Sequence, residues 1–223
     1  MQATKLLPPL FFKRSNGLHA YAGLSRTPNL LMETSTKQPH DTISDGFLQP
    51  EKIVKQFSLP QGLYVADFGC GAGYFTIPVA KAVGKDGKVY AIDIQKTLLD
   101  TIRVKANLEH ISNIETVWGD LESPNGSKLK DAQVDFVMVA NILFQSQKKP
   151  EVLKEAARVL KPGGWLSVIE WDQSEFTAGP PVEMRVDPDT TKKFAASAGL
   201  EFKHEFIVGS HHYGMFFQKS LTV

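Results

Sequence analysis

An α/β fold is predicted, built on a parallel sheet with helices covering both faces. Three observations predict it. Near-continuous apolar runs alternate with amphipathic segments between residues 63 and 171, the pattern of strands buried on both sides. The first run ends in an acid and then places glycine at every second position, Asp67-Phe68-Gly69-Cys70-Gly71-Ala72-Gly73. That is a strand, a tight turn and a helix start. The last two β-like runs, 202–208 and 213–219, are about four residues apart. So short a gap excludes a parallel crossover and predicts an antiparallel hairpin.

The elements follow in order. Pro50 to Phe57 reads as a short helix with Ile53, Val54 and Phe57 on one face. A strand at 63–68 precedes a helix near 74–83. Gly84-Lys85-Asp86-Gly87 turns the chain into a strand at 88–94. A helix near 96–109 carries Leu98, Leu99, Ile102 and Ala106 on one side. A third strand, about 114–118, ends in Gly119-Asp120, and Pro124-Asn125-Gly126 marks a loop. Residues 134–140 form the fourth strand. The next helix starts near Pro150 and ends at Leu160, where Lys161-Pro162-Gly163-Gly164 makes a sharp stop. A fifth strand at 165–171 follows. Asp187 to Gly199 is helical, with Phe194, Ala195 and Ala198 inward and Gly199 as C-cap. Right-handed crossovers bring the ends of the parallel strands to one edge, where ligands bind.

Composition sets the frame. A chain of 223 residues, 42% hydrophobic and 22% charged, suits one soluble α/β domain. The single cysteine, Cys70, leaves no disulfide within the chain, which fits a reducing, cytoplasmic setting and excludes a Cys-rich metal site. No apolar run reaches the roughly 18 residues of a membrane span. Net charge is +1, of which residues 1–31 contribute +4, leaving −3 for the remainder. That mildly acidic body carries no electrostatic footprint for nucleic acid. Residues 1–45 lack a sustained period and read as a poorly ordered tail, with the folded domain at 46–223. The acid-free first 31 residues also fit a mitochondrial transit peptide, or an extension upstream of a start at Met32.

The ligand can be narrowed from the acids. Glycine without Cβ lets a ligand approach the backbone, and a helix start presents free N–H groups. The glycines run G-x-G-x-G and not G-x-G-x-x-G, which weakens a nicotinamide-dinucleotide reading. Asp93 ends the second strand, 20 residues after Gly73, suited to two ribose hydroxyls. Asp120 ends the third strand, placed for an exocyclic adenine amine. So acidic an edge suits a nucleoside cofactor without phosphates and with a cationic centre.

Five segments carry a resemblance: Asp67 to Gly73, Ala91-Ile92-Asp93-Ile94, Trp118-Gly119-Asp120-Leu121, Val134 to Asn141, and Glu155-Ala156-Ala157-Arg158-Val159-Leu160-Lys161-Pro162-Gly163-Gly164. Over about residues 48–219 the chain resembles the class I S-adenosylmethionine-dependent methyltransferases, and its last segment looks like a signature of the ubiquinone/menaquinone C-methyltransferase-like group. The resemblance implies a seven-stranded, mostly parallel Rossmann-like sheet in the order 3-2-1-4-5-7-6, with an antiparallel last strand. It implies S-adenosyl-L-methionine as cofactor. By matching position, Gly69, Gly71 and Gly73 would line the methionyl part and sugar, with Asp67 beneath the turn. Asp93 would hold the ribose and Ile94 the adenine face. Asp120 and Leu121 would flank the adenine, and Asn141 would face the methionyl end.

Acceptor-side candidates lie elsewhere. Phe144, in the segment after the fourth strand, is one. Glu170, Trp171 and Asp172 end the fifth strand on the active edge, either to bind substrate or as a solvated strand end. Glu183 and Arg185 lie in a connection that often covers the acceptor in this family, and Arg185 could grip a substrate carboxylate. His212, Tyr213 and Asp172 are the candidate general bases, although in-line methyl displacement need not use one. His204, His211 and His212 invite a metal reading, but adjacent histidines in a strand face opposite ways, which is poor chelate geometry. No metal is expected. A lone cysteine excludes multi-thiol arsenite methylation, and Asn141-Ile142-Leu143-Phe144 stands where exocyclic-amine methylation needs Asn/Asp-Pro-Pro-aromatic. A small-molecule acceptor is therefore favoured. The alternatives are a protein side-chain (lysine-type) methyltransferase and a non-catalytic cofactor-binding partner. Oligomeric state is not readable.

Overall fold

The computed structural model describes residues 48–177 and 179–221. The tail predicted at 1–45 lies outside them. Helix α1 (Pro50–Gln56) leads into β1 (Tyr64–Phe68), α2 (Thr76–Val83), β2 (Lys88–Asp93), α3 (Lys96–Leu108) and β3 (Ile114–Trp118). After a loop come β4 (Val134–Ala140), α4 (Lys149–Val159), β5 (Leu160–Trp171), α5 (Pro188–Ser197), β6 (Leu200–Phe206) and β7 (His212–Lys219). The sheet order is β3-β2-β1-β4-β5-β7-β6. β7 runs antiparallel to both neighbours, and the other pairs are parallel. This is the order that the resemblance implies.

Register places the site. Phe68 pairs with Ile92 on one side and with Val139 on the other. The next residues, Gly69, Asp93 and Ala140, therefore leave the sheet level with one another at one edge. Helices α1 and α2 cover one sheet face, where Phe57 lies among Phe136, Phe206 and Phe216 at ring distances of 5.3–5.5 Å. Fully burying such a ring contributes roughly 1.5–3 kcal/mol. Helices α4 and α5 cover the other face through Leu153, Val159 and Ala195. Leu99 and Ile102 of α3 pack with Cys70 and Ala91.

One expectation is corrected. The sharp stop at Lys161–Gly164 is a bulge at the start of β5, which begins at Leu160. Val134 pairs with Leu160 and Phe136 with Trp165, so the register shifts there. A bulge tolerates Pro162, which has no N–H for the ladder, and Gly163 turns it at φ 76°. Lys161 Nζ anchors it on Asp135 Oδ1 at 2.8 Å. The helix predicted to end at Gly199 ends near Ala198, and Gly199 follows at φ 78°. Five residues, 207–211, join the closing hairpin.

Candidate active site

The glycine turn is built for close approach, but its three glycines answer different demands. All have positive φ, at 69°, 53° and 84° for Gly69, Gly71 and Gly73. A Cβ on Gly69 would stand 2.5 Å from Ile142 Cδ1, and one on Gly73 would stand 3.0 Å from Ile102 Cγ1. Those two glycines let neighbouring elements close in. A Cβ on Gly71 would meet nothing within 4 Å. Gly71 is thus the position where the bare backbone faces open space. A pocket of about 180 Å³ lies there, lined among others by Asp67, Gly69, Cys70, Gly71, Ala140 and Asn141. Gly73 is not in its lining.

The acids take distinct positions. Asp93 Oδ2 accepts from Gly71 N at 2.9 Å, and Oδ1 from Gln95 N at 2.9 Å. A carboxylate offers about four lone-pair positions, so roughly two remain beside the glycine turn. Asp67 is 2% exposed and accepts from Thr76 Oγ1 at 2.6 Å. Burial pushes its carboxyl up to about 7, with the Thr76 bond opposing and the Asp93 charge adding to the rise. Native Asp67 therefore binds its proton between its ordinary value of 3.8 and about 7, where the unfolded chain has lost it. By linkage this contribution to stability falls as pH rises through that window and is flat above it. Asp67→Asn is expected to flatten the slope by up to ~1.4 kcal/mol per pH unit, measured as urea unfolding free energies of both proteins at pH 5, 6 and 7.

Asp120 has a local role. It accepts from Glu122 N at 3.0 Å and Ser123 Oγ at 2.7 Å, and the Ser123 bond leads in holding its carboxyl below the ordinary value. Leu121 is buried and Ile94 is exposed. Asn141 adopts φ 54° and lines the pocket, and its Oδ1 is buried with no hydrogen-bond partner among the described residues.

Several of the residues predicted for the acceptor side are already engaged. Arg185 is buried and donates to four carbonyls: Pro180 and Asp172 at 2.9 Å, Ser174 at 2.6 Å and Phe176 at 3.4 Å. It ties down the 172–180 loop instead of presenting an open fork to a carboxylate. Tyr213 OH bonds Thr191 Oγ1 at 2.7 Å and Val186 O at 2.8 Å, and burial raises its pKa. That phenol is a tether from β7 to α5, not a free base. Asp172 Oδ1 accepts from Ser174 N at 2.9 Å and from the Ser174 hydroxyl. Glu183 is exposed, and Phe144 is half-buried.

Four rings form a ladder at the ends of β5 and β7. Trp171 lies 4.1 Å from His212 and 5.9 Å from Phe176, and Phe176 stacks on His211 at 4.0 Å. The Arg185 guanidinium sits 5.7 Å over Trp171. The two histidines reach the same ladder because His211 lies in the bend before β7, where strand alternation does not apply. His204 packs instead on Phe216 and Trp165. Among the described residues no group of three or more His, Cys, Asp or Glu could hold a metal. Burial lowers His212 to about 4, against the opposing Asp172 charge, and its Nε2 is buried without a partner among the described residues. His212 is therefore neutral near pH 7.

Sequence reading missed Thr76 and Tyr74 and left the place of Glu170 open. Tyr74 OH donates to Leu48 O at 2.5 Å and borders the pocket. Glu170, which sequence alone leaves open as a solvated strand end, is fully buried. Burial pushes it up to about 7 against the main-chain N–H groups around it. No motif marks these three, since their partners come from other segments. Cys70 was legible in the turn, but burial raises its pKa, which keeps it a thiol.

A Rossmann-like sheet of this order, with a glycine turn beside paired acids, defines a nucleoside-binding protein of the class I methyltransferase architecture. A family model described as a methyltransferase domain matches residues 65–164. A crystal structure of a SAM-dependent methyltransferase from Aquifex aeolicus is 31% identical with a TM-score of 0.70, over 77% of this chain and 89% of that one. The demethylmenaquinone methyltransferase of Bacillus licheniformis is 33% identical over 127 residues, 56% of this chain and 52% of that protein. Its namesake from Staphylococcus aureus (strain MRSA252) is 34% identical over 125 residues, 55% of this chain and 49% of that protein. The chain spans about half the length of these curated relatives. It belongs to the class I S-adenosylmethionine-dependent methyltransferases, whose cofactor is S-adenosylmethionine.

The residues present fit that cofactor. Its ribose hydroxyls and ammonium are donors, and acceptors stand at the turn: Asp67 and the unpartnered Asn141 Oδ1 line the pocket, and Asp93, bonded to the pocket-lining Gly71 N, keeps lone pairs beside it.

Proposed function

We propose that this protein transfers a methyl group from S-adenosylmethionine to a small-molecule acceptor with a quinone-type ring. The cofactor supplies a methyl activated by its sulfonium and a neutral leaving group. The carrying observation is the cradle at Gly71, open where a Cβ would project, with Asp67 in its lining and Asp93 bonded to the Gly71 N–H. In this reading Asp93 accepts from the ribose hydroxyls, and Gly69 and Gly71 pass the sugar and methionyl part along the backbone. Asp67 and Asn141 Oδ1 receive the ammonium end. Ile94 and Leu121 enclose the adenine, with Asp120 at its amine. Gly73 acts indirectly, by letting α3 close on the turn.

The acceptor lies against the Trp171–Phe176 ladder, with Phe144 and Glu183 toward the rim. A flat ring suits stacking there, and the curated relatives are named for a demethylmenaquinone substrate. In this reading His212, a candidate base from the sequence, serves as a hydrogen-bonding group to the acceptor. Its low pKa makes it a weak general base, since the best base lies near the working pH. Asp172 and Tyr213 are already bonded and take no proton in this reading. Holding donor and acceptor in line is the main contribution of the chain, worth roughly 7–11 kcal/mol when geometry is good.

The test supplies labelled S-adenosylmethionine with a quinol-containing lipid extract, a polar metabolite extract and a protein fraction. Label in the quinol supports the reading. Label only in protein favours the side-chain alternative, and label nowhere favours a non-catalytic binding protein. Gly71→Ala gives an independent check. Strain at φ 53° costs roughly 1 kcal/mol, so the variant folds, while its methyl group intrudes on the ligand. Its S-adenosylhomocysteine Kd is expected to rise by about tenfold or more, read by calorimetry.

Among the described residues no helix is long and apolar enough to cross a membrane. We assign the protein to the cytoplasm because of its lone buried thiol. A carboxy-terminal fluorescent fusion found in mitochondria would instead favour a leader at residues 1–31.

A further inference from the structure

Glu170, the last residue but one of β5, has no exposed surface, yet the pocket lining does not include it. Its Oε1 accepts from Leu143 N at 2.6 Å, and its Oε2 has no hydrogen-bond partner among the described residues. Leu143 belongs to the turn that leaves β4. Asn141 enters that turn at φ 54°, with its N–H held by Ile169 O at 2.8 Å. A non-glycine residue in that conformation persists only where its surroundings over-determine it. Ile142 presses its Cδ1 against Gly69, and Asn141 with Ala140 forms one wall of the pocket. A buried acid therefore grips a strained turn whose outer side touches the glycine turn.

We propose that Glu170 is a positioning residue: by accepting the Leu143 N–H, it holds the Asn141–Phe144 turn against Gly69 and so sets the wall of the cofactor pocket. This rests on the reading of that pocket as the S-adenosylmethionine site. The acceptor oxygen is what matters. Glu170→Gln retains an oxygen for Leu143, whereas Glu170→Met fills a similar volume without one. Ile142→Ala removes the side chain that transmits the position to Gly69.

The experiment measures S-adenosylhomocysteine Kd by calorimetry on folded protein, verified by circular dichroism. Amide exchange at Leu143 is followed in parallel. Glu170→Met is expected to weaken binding about tenfold and to lose Leu143 protection. Glu170→Gln is expected to stay within about threefold of wild type, and Ile142→Ala to weaken binding at least threefold. A merely structural role would lower stability and leave the Kd of the folded protein unchanged. Folded Glu170→Met with wild-type Kd overturns the proposal, as does Glu170→Gln as impaired as Glu170→Met. If Glu170→Met does not fold, Ile142→Ala decides, and wild-type affinity there overturns it. A wild-type protein that binds no S-adenosylhomocysteine overturns the cofactor reading itself, and a loss of Leu143 protection would then report only the bond within the fold.

Discussion

Asp93→Ala is expected to weaken S-adenosylhomocysteine binding by about a hundredfold or more, the largest ligand-binding effect of any single change considered. Hydrogen bonds to a charged group contribute roughly 1.5–3 kcal/mol each. On the proposed role of Asp93, losing two to the ribose removes about 3 kcal/mol or more, and each 1.4 kcal/mol is tenfold. A second loss compounds the first. The same carboxylate accepts the Gly71 and Gln95 N–H groups, so alanine also frees the turn that approaches the ligand. Asp93→Asn keeps an acceptor oxygen and should be impaired less. Calorimetric titration of the three proteins with S-adenosylhomocysteine, and with NAD as control, measures this. An alanine variant with wild-type affinity would remove Asp93 from the ribose.

The largest stability effect is expected at Arg158, inside the segment that most resembles a family signature. Its guanidinium bonds Glu155 at 2.7 and 2.8 Å, Leu129 O at 2.9 Å and Asp131 at 2.5 Å. Glu155 is buried and also accepts from Ser127 N at 2.9 Å and Ser127 Oγ at 2.5 Å. The signature pair thus fastens the loop between β3 and β4 onto α4, and neither residue lines the glycine-turn pocket. Arg158→Ala leaves a buried acid without its cation, which costs about 3–5 kcal/mol; the partial exposure of Arg158 favours the lower end. Burial works against the Glu155 charge, but the Arg158 and Ser127 bonds outweigh it and hold its pKa below 4.5. For a lowered acid, the stability gained from ionisation is present above the unfolded value and lost as pH falls through the folded one. The Arg158→Ala deficit should therefore be full at pH 7 and shrink below about pH 4.5, read from urea unfolding at pH 7 and pH 3.5. A deficit independent of pH would point to lost packing and not to the ion pair.

Both predictions separate two meanings of a motif. Gly71 and Asp93 read from the sequence as ligand-binding, and the fold leaves the Gly71 backbone open and Asp93 with lone pairs to spare after its two N–H bonds. Arg158 and Glu155 stood in an equally recognisable string, and they fasten a loop. The string itself does not distinguish the cases. The distinction is whether the polar atoms of a residue are already satisfied within the chain, as they are for Arg158 and Arg185.

Sequence alone determined the alternation of strands and helices, the closing hairpin, and the meeting of Gly69, Gly71 and Asp93 at one edge. The first two follow from local causes, apolar periodicity and a loop too short for a crossover; the shared edge follows from the general rule that right-handed crossovers bring parallel strand ends together. Tertiary structure alone decided which acceptor-side groups are free. Tyr213 meets Thr191 across 22 positions, Glu170 meets Leu143 across 27, and Arg185 gathers carbonyls from a loop as far as 13 residues away. Hydrogen-bond partners so distant leave no periodic trace, because each is set by how two elements pack and not by either sequence. The same holds for pKa, since the burial that pushes Asp67 and Glu170 up to about 7 and His212 down to about 4 is a property of the assembled fold.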